Sequence, residues 1–221
     1  MSGEAARERD TLLITEIFLS LQGESRSVGW PTTFIRLTGC PLRCHYCDTE
    51  YAFQGGERIT IDTVLQQVAN NGVRHVTVTG GEPLVQKEVY PLMKQLCDVG
   101  YKVSVETGGM VDISEVDSRV ERVVDLKTPA SGEVEQNHWD NLNLLTKQDQ
   151  LKVVIQGRAD YEWFLPILKQ HQLDQRCEVL LSPVQGVLEP SLLAEWILQD
   201  KLNVRFQLQL HKILWGNETG R

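Results

Sequence analysis

The sequence predicts an α/β fold: an incomplete (β/α) barrel of about six mostly parallel strands. Three observations lead there. Runs rich in β-formers alternate with helical patterns, which implies right-handed βαβ units and a mostly parallel sheet. The unusual segments of the chain each follow one of those runs, where barrels of this kind gather their functional groups. The chain has 221 residues, and one linker between strands is short and weakly helical, so a full eight-fold barrel does not fit.

The elements follow in order. Residues 1–10 are charged and lack an apolar signal core, so they read as a disordered leader before a single domain over 11–221. Residues 12–18 and 32–37 read as strands, the second ending just before Cys40. Residues 61–70 read as a helix with Asp62 as N-cap and Val64, Leu65 and Val68 on one face. A β-rich run at 75–79 stops at Gly80-Gly81. Residues 85–99 form a second helix, with Val89, Leu92, Met93 and Leu96 aligned and Gly100 as its stop. Strands follow at 102–106, 122–126 and 150–155, then a helix at 159–171, a strand at 178–181, a helix at 190–202 and a closing strand at 204–210. The stretch 128–145 is polar and irregular.

Hydrophobic residues make up 41% and charged residues 24%, the balance of an ordinary globular protein with ample core. The formal net charge is −8, which argues against non-specific nucleic-acid binding. No apolar run reaches the ~18 residues of a membrane span. Five cysteines, three of them clustered, do not resemble a disulfide framework, so cytoplasm is the natural compartment. Cys97, among helix-spaced apolar residues, and Cys177, opening a strand, read as buried small hydrophobes.

The cluster is Cys40, Cys44 and Cys47, in a Cys-x3-Cys-x2-Cys frame. Thiolates are soft ligands suited to iron–sulfur clusters, zinc or copper(I). A four-iron cluster normally takes four cysteines; three leave one iron open to a substrate or cofactor. The competing readings are a zinc knuckle, with His45 or His75 as fourth ligand, and a Cys44-x-x-Cys47 redox pair. Four further segments end strands. Thr79-Gly80-Gly81-Glu82-Pro83 lets backbone approach a ligand, or is a tight turn with Glu82 as a helix-start carboxylate. Glu106 could bind a ribose hydroxyl or polar ring, or be a solvated strand end. Asp125 and Lys127 could be an exposed ion pair, or Lys127 could hold a carboxylate. Ser182-Pro183-Val184-Gln185 completes the set, and all would converge on one mouth.

With Tyr46 directly before the third cysteine, the motif resembles the signature of the radical S-adenosylmethionine (SAM) superfamily. That resemblance implies that Cys40, Cys44 and Cys47 bind a [4Fe-4S] cluster whose open iron is chelated by SAM. It also implies that Gly81 and Glu82, in a GGEP-like segment, contact SAM. Within the superfamily the chain resembles the 7-carboxy-7-deazaguanine synthase family. The residues that carry this are Leu21-Gln22-Gly23-Glu24, Arg36, Cys47-Asp48-Thr49, Thr79–Pro83, Glu106-Thr107-Gly108-Gly109 and the closing His211-Lys212. The family's reaction turns 6-carboxy-5,6,7,8-tetrahydropterin into 7-carboxy-7-deazaguanine with loss of ammonia, on the way to queuosine and other 7-deazapurines, and SAM is regenerated.

The resemblance implies further roles. Leu21, Gln22 and Gly23 would hold the pterin, Arg36 its carboxylate, and Thr79 the substrate; Thr49 would ligate Mg2+. Tyr46, Cys47, Asp48, Gly81, Glu106, Asp125, Leu126, Lys127, Ser182, Pro183, Val184 and Gln185 would contact SAM, and Arg36, Thr79 and Glu106 would serve catalysis. A flavodoxin-like or other electron donor and a homodimer are also implied. An enzyme that installs a glycyl radical on a protein partner is the competing class. The chain departs from the family in reading Asp125-Leu126-Lys127 where some members have Ser-Pro-Lys. It also runs on past Lys212, which leaves His211 as a candidate substrate ligand, or as a strand-end histidine.

Overall fold

A computed structural model of the chain describes residues 10–221. Of the expected leader, 1–10, all but Asp10 lies outside the described residues. Among these, one nine-stranded sheet runs in the order β3-β1-β2-β4-β5-β6-β7-β8-β9. The strands are β1 (Thr11–Leu21), β2 (Pro31–Leu37), β3 (Glu57–Thr60), β4 (His75–Gly80), β5 (Lys102–Thr107), β6 (Glu121–Asp125), β7 (Gln150–Ile155), β8 (Glu178–Pro183) and β9 (Arg205–Phe206). From β2 to β9 every pairing is parallel, while β1 joins β2 and β3 antiparallel. The incomplete barrel is therefore present, with seven parallel strands and a two-strand antiparallel extension, and the sheet does not close on itself.

Helices α1 (Ile61–Asn71), α2 (Val89–Asp98), α3 (Asn141–Leu144), α4 (Arg158–Gln170), α5 (Leu173–Arg176), α6 (Pro190–Gln199) and α7 (Leu210–Trp215) fill the connections. Strand residues alternate between faces. Val76 and Val78, Val103 and Val105, Leu151, Val153 and Ile155, and Val179 and Leu181 join one apolar cluster with Val64, Leu92, Leu96, Phe164 and Leu193 of the helices. This outer face holds the core. By the same alternation the inner face receives Arg36, Thr77, Thr79, Ser104, Glu106, Asp125, Lys152 and Ser182.

Several elements differ from expectation for local reasons. Thr60, not Asp62, caps α1: its hydroxyl accepts from Thr63 N, and Asp62 lies in the first turn. The helix expected over 85–99 starts only at Val89, because Pro83 first sets a 3-10 turn over Pro83–Val85. The closing strand shrinks to Arg205–Phe206, and Leu210–Trp215 turns helical, so His211 is helical rather than a strand end. Strand β3 is not apparent in the sequence because its four residues, Glu57–Thr60, carry little apolar signal. Cys177 is buried as expected, but Cys97 is only half-buried.

Candidate active site

The mouth of the half-barrel lies at the carboxyl ends of the parallel strands, and the cysteine loop folds over its rim. Strand β2 delivers the chain to Gly39-Cys40. Gly39 O accepts from Glu82 N (2.8 Å), and Leu37 O accepts from Gly81 N (3.0 Å). A Cβ on Gly81 would stand 2.2 Å from Gly39 O and 2.7 Å from Cys40 Cβ. The glycine is thus what lets the turn after β4 lie directly on the first cysteine. On the other side His45 N donates to Ser131 O (3.0 Å), and Arg43 N to Glu133 Oε1 (2.5 Å).

Cys40, Cys44 and Cys47 are unbridged and half-buried. Burial pushes the Cys40 and Cys44 thiols up, while nearby Lys127 pulls them down. Metal ligation requires thiolates, and a bound metal supplies the positive charge that stabilises the thiolates burial otherwise opposes. Among the described residues no three His, Cys, Asp or Glu side chains converge as a single-ion site. His75 cannot complete a zinc site with them: it opens β4 at the opposite end of the sheet and stacks on Trp30 (5.3 Å). His45 Nδ1 lies 3.2 Å from Ala130 O. The Tyr46 hydroxyl is buried without a hydrogen-bond partner among the described residues, and burial raises its pKa to about 12. Three soft sulfurs and a buried hydroxyl left without a partner near Lys127 and Cys44 fit a cluster with one open iron and a polar ligand beside it.

Glu82 is wholly buried and accepts from Leu84 N (3.0 Å), Thr107 Oγ1 (2.8 Å) and Gly108 N (2.7 Å). Its carboxylate caps the turn and ties β4 to β5, the helix-start role, even though burial raises its pKa. Lys127 is not an exposed ion pair. It is 7% exposed, its Nζ donates to Asp125 Oδ2 (2.8 Å), and its N donates to Asn137 Oδ1 (2.9 Å). Burial opposes both charges, but their mutual attraction outweighs it, so Asp125 is lowered and Lys127 raised. Leu126 is buried outward, on the core side. Ser182, Pro183 and Val184 are buried where β8 ends, and Val184 N donates to Ile155 O (2.9 Å); Gln185 is exposed.

Below the rim the chain does something the sequence does not announce. After β1, residues Gln22 to Ser25 cross the interior and form a floor. Gln22 Nε2 donates to Thr77 Oγ1 (3.0 Å) and to Glu106 Oε1 (3.1 Å), so its amide is anchored inward. Gly23 O accepts from Leu210 N (2.9 Å), and a Cβ on Gly23 would stand 2.1 Å from His211 Nδ1. Leu21, Gln22, Gly23 and His211, far apart in sequence, therefore meet. Burial lowers the His211 pKa, against the pull of Glu24 and Asp48. A cavity of about 200 Å³ lined by Trp30, His75 and Ser104 lies at the amino ends of the strands, on the far side of this floor from the mouth.

Around the mouth, charges pair. Arg36 Nε donates to Glu16 Oε1 (2.7 Å), and its guanidinium lies 5.7 Å from the Tyr51 ring. Lys212 pairs with Asp48 (2.7 Å), which burial would raise but Lys212 holds at a pKa of about 2. Lys152 pairs with Glu24. Glu106 instead accepts from two neutral donors, Gln22 and Thr79 Oγ1 (3.2 Å), so it is no solvated strand end. Burial, reinforced by Glu24, raises its pKa. Thr49 follows Cys47 with its hydroxyl 3.8 Å from Cys47 Sγ and no capping bond. The sequence reading missed Lys152, Glu16, Gln209 and Tyr51. Lys152 alone carried a signal, a lysine inside the apolar run Gln150–Ile155.

Comparisons with known proteins give the family and the fold. The radical SAM superfamily model matches residues 34–170. A protein of Chlorobaculum tepidum named 7-carboxy-7-deazaguanine synthase is 44% identical over 94% of this chain and 96% of its own. One of the same name from Koribacter versatilis is 43% identical over 93% of this chain and 98% of its own. In fold, the chain is similar to the crystal structure of QueE from Escherichia coli, with a TM-score of 0.75 at 24% identity, covering 96% of this chain and 100% of that one.

Glu106→Gln mimics the protonated carboxyl, since its amide can accept from Gln22 and donate to Thr79. The raised folded-state pKa means the wild type loses stability as pH climbs from the unfolded value of 4.5 through the folded one. Urea midpoints of the two proteins should therefore agree below that window, with the variant the more stable above it. A gap constant with pH would contradict the assignment.

Proposed function

The chain belongs to the 7-carboxy-7-deazaguanine synthase family of the radical SAM superfamily, and from that premise we propose that it converts 6-carboxy-5,6,7,8-tetrahydropterin to 7-carboxy-7-deazaguanine and ammonia. It is an enzyme that uses a [4Fe-4S] cluster and SAM. When bound, these supply a 5′-deoxyadenosyl radical able to take hydrogen from the pterin C6. The observation that carries the proposal is the floor: Gln22 donates to Glu106, which Thr79 also reaches, and Gly23 lies against His211.

The chain's own residues divide the work. Cys40, Cys44 and Cys47 hold the cluster. Tyr46, Cys47, Asp48, Gly81 and Glu82, with Asp125-Leu126-Lys127 and Ser182 to Gln185, form the SAM side. Lys127, charged and deep, suits a carboxylate. Leu21, Gln22, Gly23 and His211 carry the pterin on the floor side, with Thr79 at its edge. Arg36 faces the substrate carboxylate with the fork that Glu16 orients through Nε. Thr49 offers a hydroxyl oxygen to Mg2+, a cation that prefers oxygen ligands and keeps waters. Glu106, paired with neutral donors rather than a cation, is the carboxylate best placed to take up or return a proton at Oε2 as the ring contracts and ammonia leaves.

Residues 11–221 act as one domain in this reading. Family membership supports a homodimer, a flavodoxin-like or other electron donor and residence in the cytoplasm. Among the described residues no helix is long and apolar enough to cross a membrane. The similarities do not favour an enzyme acting on a protein partner.

Arg36→Ala tests the substrate side. Losing a charge-assisted contact to the carboxylate should raise the Kd for the pterin by about tenfold or more, read by anaerobic calorimetry. Iron per chain and SAM affinity should stay at wild-type values. Loss of all three together would contradict the role.

A further inference from the structure

Lys152 lies on β7 between Leu151 and Val153, both fully buried on the outer face, so its ammonium points into the barrel. An ammonium so placed must be paired or it destabilises the fold. Its Nζ contacts Glu24 Oε2 and stands 4.0 Å from Asp125 Oδ1, and the side chain is 15% exposed. Each carboxylate is tied onward. Glu24 Oε1 accepts from Gln209 Nε2 (2.7 Å), which also reaches Asp48 (3.2 Å), and Asp48 pairs with Lys212. Asp125 Oδ2 is held by Lys127 (2.8 Å). One arm belongs to the floor and the C-terminal segment, the other to the wall that carries Lys127. Among the described residues, Lys152 is the cation in contact with both.

We infer that Lys152 is a positioning residue that couples the two sides of the mouth, holding Glu24 in the floor and Asp125 in the wall in one register so that pterin seating and SAM cleavage stay linked. The inference rests on the proposed pterin and SAM sites. Its sequence is economical: neither arm needs to touch the other, because one buried charge is shared between them. Truncating it leaves Glu24 and Asp125 without a shared cation, so the floor loses its tie to the wall, and like charge between the two carboxylates adds to the loss of stability. An ordinary structural ion pair would instead affect only how well the chain folds.

The test uses the full chain with its cluster reconstituted, as wild type, Lys152→Met, Lys152→Arg and the double variant Glu24→Gln with Lys152→Met. The double variant removes both charges and so avoids stranding a buried carboxylate. Four quantities are read: melting temperature, iron per chain, the Kd for 6-carboxytetrahydropterin with SAM but no reductant, and 5′-deoxyadenosine formed per product once reductant is added. Lys152→Met should weaken pterin binding by about tenfold or more and release 5′-deoxyadenosine in excess of product. Lys152→Arg should restore both toward wild type, and the double variant should melt near wild type yet keep the excess 5′-deoxyadenosine. Wild-type affinity and no excess in Lys152→Met overturn the inference. So does a loss that follows melting temperature alone and that arginine does not rescue. If the wild type itself fails to bind the pterin, the functional reading falls first, and the two failures are told apart.

Discussion

The segment from Gln22 to Ser25 runs through the interior of the half-barrel, and a backbone that does so must find a partner for every polar group it carries. Much of the molecule is arranged around that need. Gln22 N donates to Trp30 O (2.9 Å) and Gln22 O accepts from Gly29 N (2.8 Å), closing the loop on itself. Ser25, at a positive φ of 63°, donates its N to Gln207 Oε1 (2.8 Å) and accepts at O from Gln207 Nε2 (2.9 Å). Gln207 in turn donates its N to Leu181 O (3.0 Å), so β8 and the last segment of the chain are fixed by the floor they support. The sheet can stay open because this segment bridges its gap.

A floor of this kind changes what the inner face can be. In a closed barrel the interior is packed with branched apolar residues. Here the same strand positions carry Arg36, Glu106, Asp125 and Lys152, and burial works against each charge unless a partner is adjacent. Pairing with Glu16, Lys127 and Glu24 meets that demand for all but Glu106, which is left with Gln22 and Thr79. Glu106, a carboxylate whose ionisation burial resists, thus lies beside the proposed substrate, and the charged pairs around it are already oriented before any ligand arrives.

Much of this was legible in the sequence. The parallel strands and outer helices followed from alternating β-rich and helix-periodic runs. The cysteine spacing, the two glycines after β4 and the strand-end Glu106 and Lys127 marked the mouth, because functional groups gather where such strands end. What was not legible depends on contacts between distant parts of the chain. Nothing local to Gln22 says that its amide reaches Thr77 and Glu106. Nothing near Glu24 says that Lys152 will meet it. His211 looked like the end of a strand because residues 204–210 alternate like one, yet the chain leaves the sheet after Phe206 and turns into α7 against Gly23. Glu82 suits both a ligand and a turn in the sequence, and only the folded chain shows that, buried with four hydrogen-bonded contacts, it serves the turn whatever it also does for a ligand.

The central claim is that the floor, the cysteine loop and the charged wall form one site for a radical rearrangement of a carboxypterin. It is tested most directly by incubating the reconstituted protein without oxygen with SAM, a reductant, Mg2+ and 6-carboxy-5,6,7,8-tetrahydropterin and following the mixture by mass spectrometry. The account predicts a product at the substrate mass less ammonia while SAM is undiminished. Accumulation of 5′-deoxyadenosine without that product would contradict it, leaving the radical SAM chemistry in place and the pterin assignment wrong.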